Sequence, residues 1–245
     1  MESYSGFSKV YDRLIMEDVD YDAFASFILS MKEEGGSYMD AACGTGNISL
    51  RIAPYFRDTT LIDLSEEMLT LAVKKLDSLG IKTRAFNIPM EDMQFGESFS
   101  LITSVLDSVN YLVEDGQAEK FFRAAYDHLE EDGLLVFDIN SSYKLTEILG
   151  NNDFIYTSDD IVYTWENSIE DGLVEMYLNF FVREGRLYER VEELHHEKVF
   201  SEPELIDILH RIGFKDIEAW DSYSKKRPHE ETERITFTAW KRRKQ

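Results

Sequence analysis

Two kinds of apolar pattern alternate along the first two thirds of the chain. Short apolar runs, typical of buried strands, are separated by segments whose apolar residues recur at helical spacing. The strand-like runs cover residues 38–42, 59–63, 81–87, 99–106 and 134–139, and the helical segments cover 21–33, about 47–54, 65–80 and 116–130. Strands that are separated by helices indicate a parallel sheet with right-handed crossovers.

The pattern changes near residue 161. Two tripeptides typical of hairpin turns, Glu170-Asp171-Gly172 and Arg183-Glu184-Gly185, divide the next stretch. They separate three strand-like runs, which cover residues 161–169, 173–182 and 186–200. We therefore expect an antiparallel β meander that is inserted into the α/β chain.

After the meander the chain returns to helix and strand. Ser201 is a suitable N-cap and Pro203 suits an early helical position, so a helix is predicted to run to about Ile212. Strands are expected at 214–220 and 233–240. The sheet should therefore end with two strands that follow the insertion.

Composition and charge narrow the class of protein. A chain of 245 residues is long enough for one large α/β domain, or for one domain with an insertion. The formal net charge of −22 opposes a broad phosphate-binding face, so nucleic acid is an unfavoured acceptor and anionic membranes are disfavoured. The basic run at 241–244 is interpreted as a solvated tail.

The compartment follows from the cysteine count and the termini. Cys43 is the single cysteine, so no internal disulfide can form, which fits a reducing cytosol. Glu2 and Lys9 have no apolar segment behind them, and no apolar run approaches the length of a membrane span. We expect a soluble cytoplasmic protein.

The most specific motif is a glycine turn that follows the first predicted strand. Asp40 lies near the end of that strand, Gly44 and Gly46 form the turn, and a helix begins near Asn47. The second strand ends at Asp63, 17 residues after Gly46. Backbone amides at a helix N-terminus beside a carboxylate that can bind a ribose are typical of nucleotide-type sites.

Two ligand classes use this layout, and the residues around the glycines separate them. A dinucleotide site favours a third glycine, where this chain has Ser49. Asp40 disfavours a pyrophosphate and suits a ligand with an ammonium group, because opposite charges attract. S-adenosylmethionine has an ammonium, a ribose and an adenine but no phosphate. A nicotinamide-dependent reductase is the alternative enzyme.

At these residues the chain resembles the class I S-adenosylmethionine-dependent methyltransferases, whose glycine motif is D/E-x-G-x-G-x-G. Ala42 stands in place of the first glycine. Two further segments, Asp107-Ser108-Val109-Asn110-Tyr111-Leu112 and Phe137-Asp138-Ile139-Asn140, resemble motifs of uncharacterised bacterial methyltransferases of the small-molecule type. The resemblance covers nearly the whole chain.

The resemblance implies a Rossmann-like methyltransferase fold, which is a doubly wound, seven-stranded, mostly parallel sheet with the last strand antiparallel. Residues 1–145 and 201–245 would form the S-adenosylmethionine-binding domain, with 1–30 as an N-terminal lid. Residues 146–200 would form the β subdomain that covers the acceptor. The aromatic residues of the lid segment are Tyr4, Phe7, Tyr11 and Tyr21, and the alternative for them is an aromatic helix packed on the sheet.

The resemblance also assigns the cofactor site. Asp40 would lie near the methionine ammonium, Asp63 would bind the ribose hydroxyls, and Asp92 with Met93 would contact the adenine. Met93 has a core position as its alternative, and Asp40 could cap the amides of the turn. The full predicted cofactor-binding set is Tyr11, Asp40, Ala42, Cys43, Gly44, Gly46, Asp63, Leu64, Asp92, Met93 and Leu106.

Three candidate catalytic residues follow from the segments that face the methyl group: Asp107, Tyr111 and His195. Asp107 either orients or deprotonates the acceptor, or only fixes its loop. His195 and His196 are adjacent on a strand, so they point to opposite faces and cannot bind one metal. No other spacing suggests a metal site.

The aromatic residues of the meander fall on defined faces. Side chains on a strand alternate between its two faces. Tyr163 therefore shares a face with Trp165, and Tyr177 shares a face with Phe181. Such a face either covers the acceptor or forms the core of the insertion.

The predicted function is therefore in-line methyl transfer to a small-molecule acceptor. The segment after the fourth strand lacks the proline pair of base-directed enzymes, which weakens an RNA-directed alternative. A non-catalytic S-adenosylmethionine sensor on the same scaffold stays open. The acceptor, the methylated atom and the oligomeric state are not defined by the sequence.

Overall fold

The computed structural model describes residues 19–32 and 34–243 of the chain. Its α-helices are α1 (Tyr21–Met31), α2 (Ser49–Ile52), α3 (Glu66–Ser78), α4 (Gln117–His128) and α5 (Glu202–Ile212). A π-helix covers Lys144–Leu149, and short 3-10 helices cover Ala53–Tyr55, Met90–Asp92 and Ser108–Tyr111. Its strands are β1 (Ser37–Ala41), β2 (Asp58–Asp63), β3 (Thr83–Asn87), β4 (Phe99–Ser104), β5 (Leu129–Asn140), β6 (Asp153–Thr157), β7 (Ile161–Glu170), β8 (Leu173–Glu184), β9 (Leu187–Lys198), β10 (Lys215–Asp221) and β11 (Arg234–Lys241).

Seven strands form one sheet in the order β10-β11-β5-β4-β1-β2-β3. Strand β11 runs antiparallel to both of its neighbours, while the pairs among β1 to β5 are parallel. The predicted fold class is confirmed. The order reverses between β1 and β4, and ligands of open α/β sheets bind at the carboxyl ends of the strands near such a point.

Helices cover both faces of this sheet because its central strands are apolar on both sides. Met39 and Ala41 belong to one buried cluster, with Phe121 of α4 and Leu205 of α5. Tyr38 belongs to another, with residues of α1 and α3. A period of two along β1 places these clusters on opposite faces. Each fully buried large side chain contributes about 1.5–3 kcal/mol.

Local capping fixes where two helices begin. The hydroxyl of Ser65 accepts a hydrogen bond from the Met68 amide at 3.3 Å, and that of Ser201 accepts one from the Glu204 amide at 3.3 Å. These bonds satisfy amides that have no partner within the helix. The N-cap predicted at Ser201 is confirmed, and Ser65 caps α3 in the same way. None of the helices formed by the described residues has the length and apolar character that crossing a membrane requires.

The insertion forms a second sheet, with the order β6-β7-β8-β9. The prediction of three strands was wrong in number, because β6 pairs with β7 as a fourth. Strand β6 has five residues at the sheet edge, too few for a clear alternating pattern. The predicted turn between β7 and β8 is confirmed, with Asp171 and Gly172 at φ values of 50° and 78°.

Two strand boundaries also differ from the prediction. Strand β5 begins at Leu129 instead of 134, directly after α4. Strand β4 ends at Ser104 instead of 106, since Leu106 has a φ of 56°, in the left-handed region. The early end of β4 shapes the site described next.

Candidate active site

The glycine turn between β1 and α2 leaves space for a ligand. Ala42, Gly44 and Gly46 have positive φ values of 60°, 52° and 78°. A Cβ on Gly46 would lie 2.9 Å from the Cβ of Ala72, so only glycine fits between the turn and α3. A Cβ on Gly44 would meet nothing within 4 Å. The backbone at Gly44 therefore borders open space.

Asp63 lies beside that space at the carboxyl end of β2. Its Oδ2 accepts a hydrogen bond from the Gly44 amide at 2.7 Å, and its Oδ1 accepts one from the Ser65 amide at 2.8 Å. Burial raises the pKa of this carboxyl, and the two amides oppose the shift. Each carboxylate oxygen keeps further acceptor capacity, which can serve two adjacent hydroxyls.

Asp40 is buried beneath the turn instead of capping its amides. Its Oδ1 accepts from the Thr103 hydroxyl at 2.8 Å, and its Oδ2 accepts from the Ser49 hydroxyl. Burial raises its pKa to about 6. Ser49, which occupies the place of the third glycine, therefore has a structural function: it ties Asp40 to α2.

The other predicted cofactor residues lie in varied surroundings. Leu64 is 73% exposed at the end of β2, and Cys43 is buried, which raises the pKa of its thiol. Asp92 forms an exposed ion pair with Lys120 of α4. Met93 is buried in the cluster that includes Met39 and Phe121. Met93 therefore occupies a core position, which was the alternative for this residue.

The lid segment is only partly described. Tyr4, Phe7 and Tyr11 lie outside the described residues. Tyr21 is the first residue of α1, where it is buried, and the Arg51 guanidinium lies 5.3 Å from its ring centroid. Its side chain therefore packs against the domain, in agreement with the alternative of an aromatic helix packed on the sheet.

Tyr111 and His195 meet between the two sheets. The Tyr111 hydroxyl lies 3.1 Å from His195 Nδ1, and the rings are 5.8 Å apart in a T-shaped arrangement. Burial lowers the pKa of His195 to about 4, so its imidazole is neutral at neutral pH. His196 faces the other way, with its Nε2 3.1 Å from Glu175 Oε2.

Asp107 joins them at the end of β4. Arg234 Nη2 donates to Asp107 Oδ1 at 2.8 Å, and the Asp107 charge acts on the pKa values of both His195 and Glu197. The three predicted catalytic residues line one cavity of about 710 Å³. The described residues contain no group of three or more His, Cys, Asp or Glu side chains that could hold a metal ion.

The second sheet forms the apolar wall of this cavity. The residues that line this wall are Tyr163, Trp165, Met176, Leu178 and Phe180. Tyr177 and Phe181 are not among its lining residues; the Tyr177 hydroxyl donates to Glu192, and the Arg190 guanidinium lies 6.0 Å from the Phe181 ring centroid. The sequence analysis singled out the face of β8 that carries Tyr177 and Phe181. The cavity is lined by the other face of this strand, which carries Phe180.

Sequence reasoning missed Glu197, which is almost fully buried and lines the cavity. Its Oε2 accepts from Asn140 Nδ2 at 2.8 Å. Burial and the Asp107 charge raise the pKa of Glu197 to about 8. The signal was available, because Glu197 lies two residues after His195 on a strand and so shares its face.

Comparisons with known proteins agree with this geometry. A family described as a methyltransferase domain matches residues 39–133. YqeM of Bacillus subtilis (strain 168), which is named as a methyltransferase, is 33% identical over 244 residues, 97% of each chain. The crystal structure of an S-adenosylmethionine-dependent methyltransferase from Clostridium acetobutylicum ATCC 824 is 40% identical, with a TM-score of 0.91 over 97% of this chain and 98% of that one.

A third relative has a named substrate. The dTDP-3-amino-3,4,6-trideoxy-alpha-D-glucopyranose N,N-dimethyltransferase of Streptomyces venezuelae is 33% identical over 134 residues, 53% of this chain and 55% of its own.

The chain belongs to the S-adenosylmethionine-dependent methyltransferases. The residues present fit this cofactor, since the open space at Gly44 lies beside the Asp63 carboxylate. The class predicted from the sequence is confirmed.

Proposed function

We propose that this enzyme methylates the amine of a small molecule held in the cavity between the two sheets. S-adenosylmethionine would be held by the turn at Gly44 and Gly46, by Asp63 at the ribose and by Asp40 near the ammonium. Asp92, Met93, Leu64 and Leu106 remain proposed contacts.

The charge of the cavity is the observation that carries the proposal. Its lining includes six carboxyl side chains, of which Glu197 keeps its proton at neutral pH, and two cationic side chains, Lys144 and Arg234. The carboxyl groups belong to Asp20, Asp107, Glu197, Asp221, Glu231 and Glu233. A negatively lined cleft concentrates cations, and aliphatic amines are cations at neutral pH. An amine therefore suits this cavity better than an anionic acceptor.

The size of the cavity and the substrate of a relative support a small acceptor. A cavity of about 710 Å³ lies within the range of roughly 300–1,000 Å³ typical of small-molecule sites. The Streptomyces venezuelae relative is named for dimethylation of an amino sugar nitrogen. Both observations favour nitrogen on a compact organic molecule.

An ammonium must lose one proton before its nitrogen can act as a nucleophile. The ionised form of Glu197 suits this step, and it gains population as the pH approaches the pKa of Glu197, which is about 8. A proton acceptor works best when its pKa lies near the working pH. The neutral His195, held by Tyr111, can accept a hydrogen bond from a remaining N–H and orient the lone pair. Asp107, which is paired with Arg234, supplies a fixed negative charge beside the amine.

The cofactor, when bound, supplies a sulfonium methyl group, which forms a bond to nitrogen as its bond to sulfur breaks and S-adenosylhomocysteine leaves. The residues of the chain align the amine and exclude water. The second sheet provides this exclusion through its apolar wall.

The test uses paired acceptors that differ only in the nucleophile. Glucosamine, cyclohexylamine and benzylamine are incubated with methyl-labelled S-adenosylmethionine beside glucose, cyclohexanol and benzyl alcohol. A whole-cell extract, with and without nuclease treatment, is assayed in parallel. Label in amine products supports the proposal. Label only in hydroxyl products, or only in RNA, contradicts it, and cofactor binding without any transfer favours a sensor.

A further inference from the structure

The turn that follows β4 has an unfavourable backbone. Leu106 and Asp107 have φ values of 56° and 55°, so two successive residues other than glycine adopt the left-handed conformation. Such residues persist only where surrounding contacts stabilise them, and they cluster at functional sites. Here the turn borders the acceptor cavity, which both residues line.

One buried carboxylate holds both residues. The Leu106 amide donates to Asp138 Oδ2 at 2.9 Å, and the Asp107 amide donates to Asp138 Oδ1 at 2.7 Å. Asp138 lies on β5, and none of its surface is exposed. Charged hydrogen bonds of this kind are stronger than neutral ones, which suits them to hold a strained turn.

Two more donors complete the environment of Asp138. The Tyr223 hydroxyl donates to Oδ2, and Arg234 Nη1 donates to Oδ1. The second nitrogen of the same guanidinium, Nη2, donates to the Asp107 carboxylate at 2.8 Å. Arg234 therefore links the group that fixes the backbone of the turn to the side chain that the turn carries.

We propose that Asp138 and Arg234 are positioning residues for methyl transfer, which hold the Leu106–Asp107 turn in its left-handed form and aim the Asp107 carboxylate into the acceptor cavity. Asp138 acts only through the turn, since it is not among the residues that line the cavity. The inference rests on the proposed function of that cavity. The conformation of the turn, however, can be measured without an acceptor.

The first measurement is amide hydrogen exchange by NMR in the presence of S-adenosylhomocysteine. Asp138→Asn keeps the shape of the side chain but replaces one acceptor oxygen with a donor. The amides of Leu106 and Asp107 should exchange at least about tenfold faster, while the Gly44 amide, held by Asp63, stays unchanged. The control is Asp127→Asn, an exposed site on α4. Unchanged exchange at Leu106 and Asp107 overturns the proposal.

The second measurement is steady-state transfer to whichever amine of the panel accepts label. Positioning predicts that Asp138→Asn lowers kcat by about a hundredfold, with the KM for S-adenosylmethionine within about threefold. A kcat close to that of the unsubstituted protein overturns the proposal. A loss of cofactor affinity as large as the loss of kcat, together with a loss of cooperative unfolding, also overturns it, because a merely structural residue would have these effects.

Arg234→Lys provides a second variant in case Asp138→Asn does not fold. Lysine keeps the charge beside Asp138 but has no fork that reaches Asp107 as well. The same split of kcat from KM is expected, and its absence counts against the proposal. If the unsubstituted protein methylates no amine, the proposed function fails. The exchange data then still test whether Asp138 holds the Leu106–Asp107 turn.

Discussion

The backbone amide of Gly44 and the carboxylate of Asp63 are joined by a hydrogen bond of 2.7 Å between two neighbouring strand ends. This bond fixes the acid next to a turn residue on which a Cβ would meet nothing within 4 Å. The carboxylate that we propose as the ribose acceptor is therefore held in place by the backbone of the protein itself.

Replacement of Asp63 by alanine should weaken S-adenosylmethionine binding at least about tenfold, because the ribose hydroxyls lose a charged acceptor. Calorimetry of both proteins gives the ratio. Asp58→Ala, at the exposed opposite end of β2, is the matched control and should bind as the unsubstituted protein does. An affinity of Asp63→Ala equal to that of the control would remove Asp63 from the site.

Ala42→Gly should stabilise the protein by about 1 kcal/mol, because alanine is held at a φ of 60° that glycine adopts without steric conflict. Urea unfolding measures the change. The control, Ala124→Gly within α4, should instead destabilise by about 1 kcal/mol. Equal destabilisation in both variants would contradict the account of the turn.

Glu197→Gln should raise stability at pH 8 by more than about 2 kcal/mol and lower methyl transfer. Burial raises the pKa of Glu197 from 4.5 to about 8, so the folded protein keeps a proton that the unfolded chain loses. This group therefore makes stability fall as pH rises from about 4.5 to about 8. Urea unfolding across that window tests the sign, and Glu189→Gln on the exposed part of β9 should keep the fall. If the stability of Glu197→Gln falls with pH as steeply as that of the unsubstituted protein, Glu197 is not the group responsible for the fall.

His195 should produce the opposite dependence. Burial lowers its pKa from 6.5 to about 4, so the unfolded chain takes up a proton first as the pH falls. Its contribution is present above about pH 6.5 and is lost as the pH falls towards about 4. In thermal unfolding, His195→Gln should therefore lose less stability over this window than the unsubstituted protein. His196→Gln, on the exposed face, should match the unsubstituted protein. Identical curves for the two variants would argue against a buried neutral imidazole.

The glycine turn and the position of Asp63 beside it could be predicted from the sequence because the signals are local. The first predicted strand, the glycine turn and the acid at Asp63 all lie between residues 38 and 63. Turn conformation and helix start are set by near neighbours, which a single sequence displays. The seven-stranded, mostly parallel sheet followed from the alternation of strands and helices together with the resemblance.

The surroundings of the cavity that we propose for the acceptor were harder to predict, because their contacts are distant in sequence. Arg234 meets Asp138 across 96 positions, and no spacing rule connects them. The left-handed turn at Leu106 has no glycine to reveal it. Alternation along β8 defined two faces but not which one the cavity occupies, so Phe180 was missed beside Phe181.

A crystal structure with S-adenosylhomocysteine and a methylated amine product tests the central claim most directly. The account predicts ribose hydroxyls within about 3.2 Å of the Asp63 carboxylate, and the product nitrogen in the cavity between Asp107, His195 and Glu197. An amine bound elsewhere, or a cofactor that leaves the crevice at Gly44 empty, would contradict it.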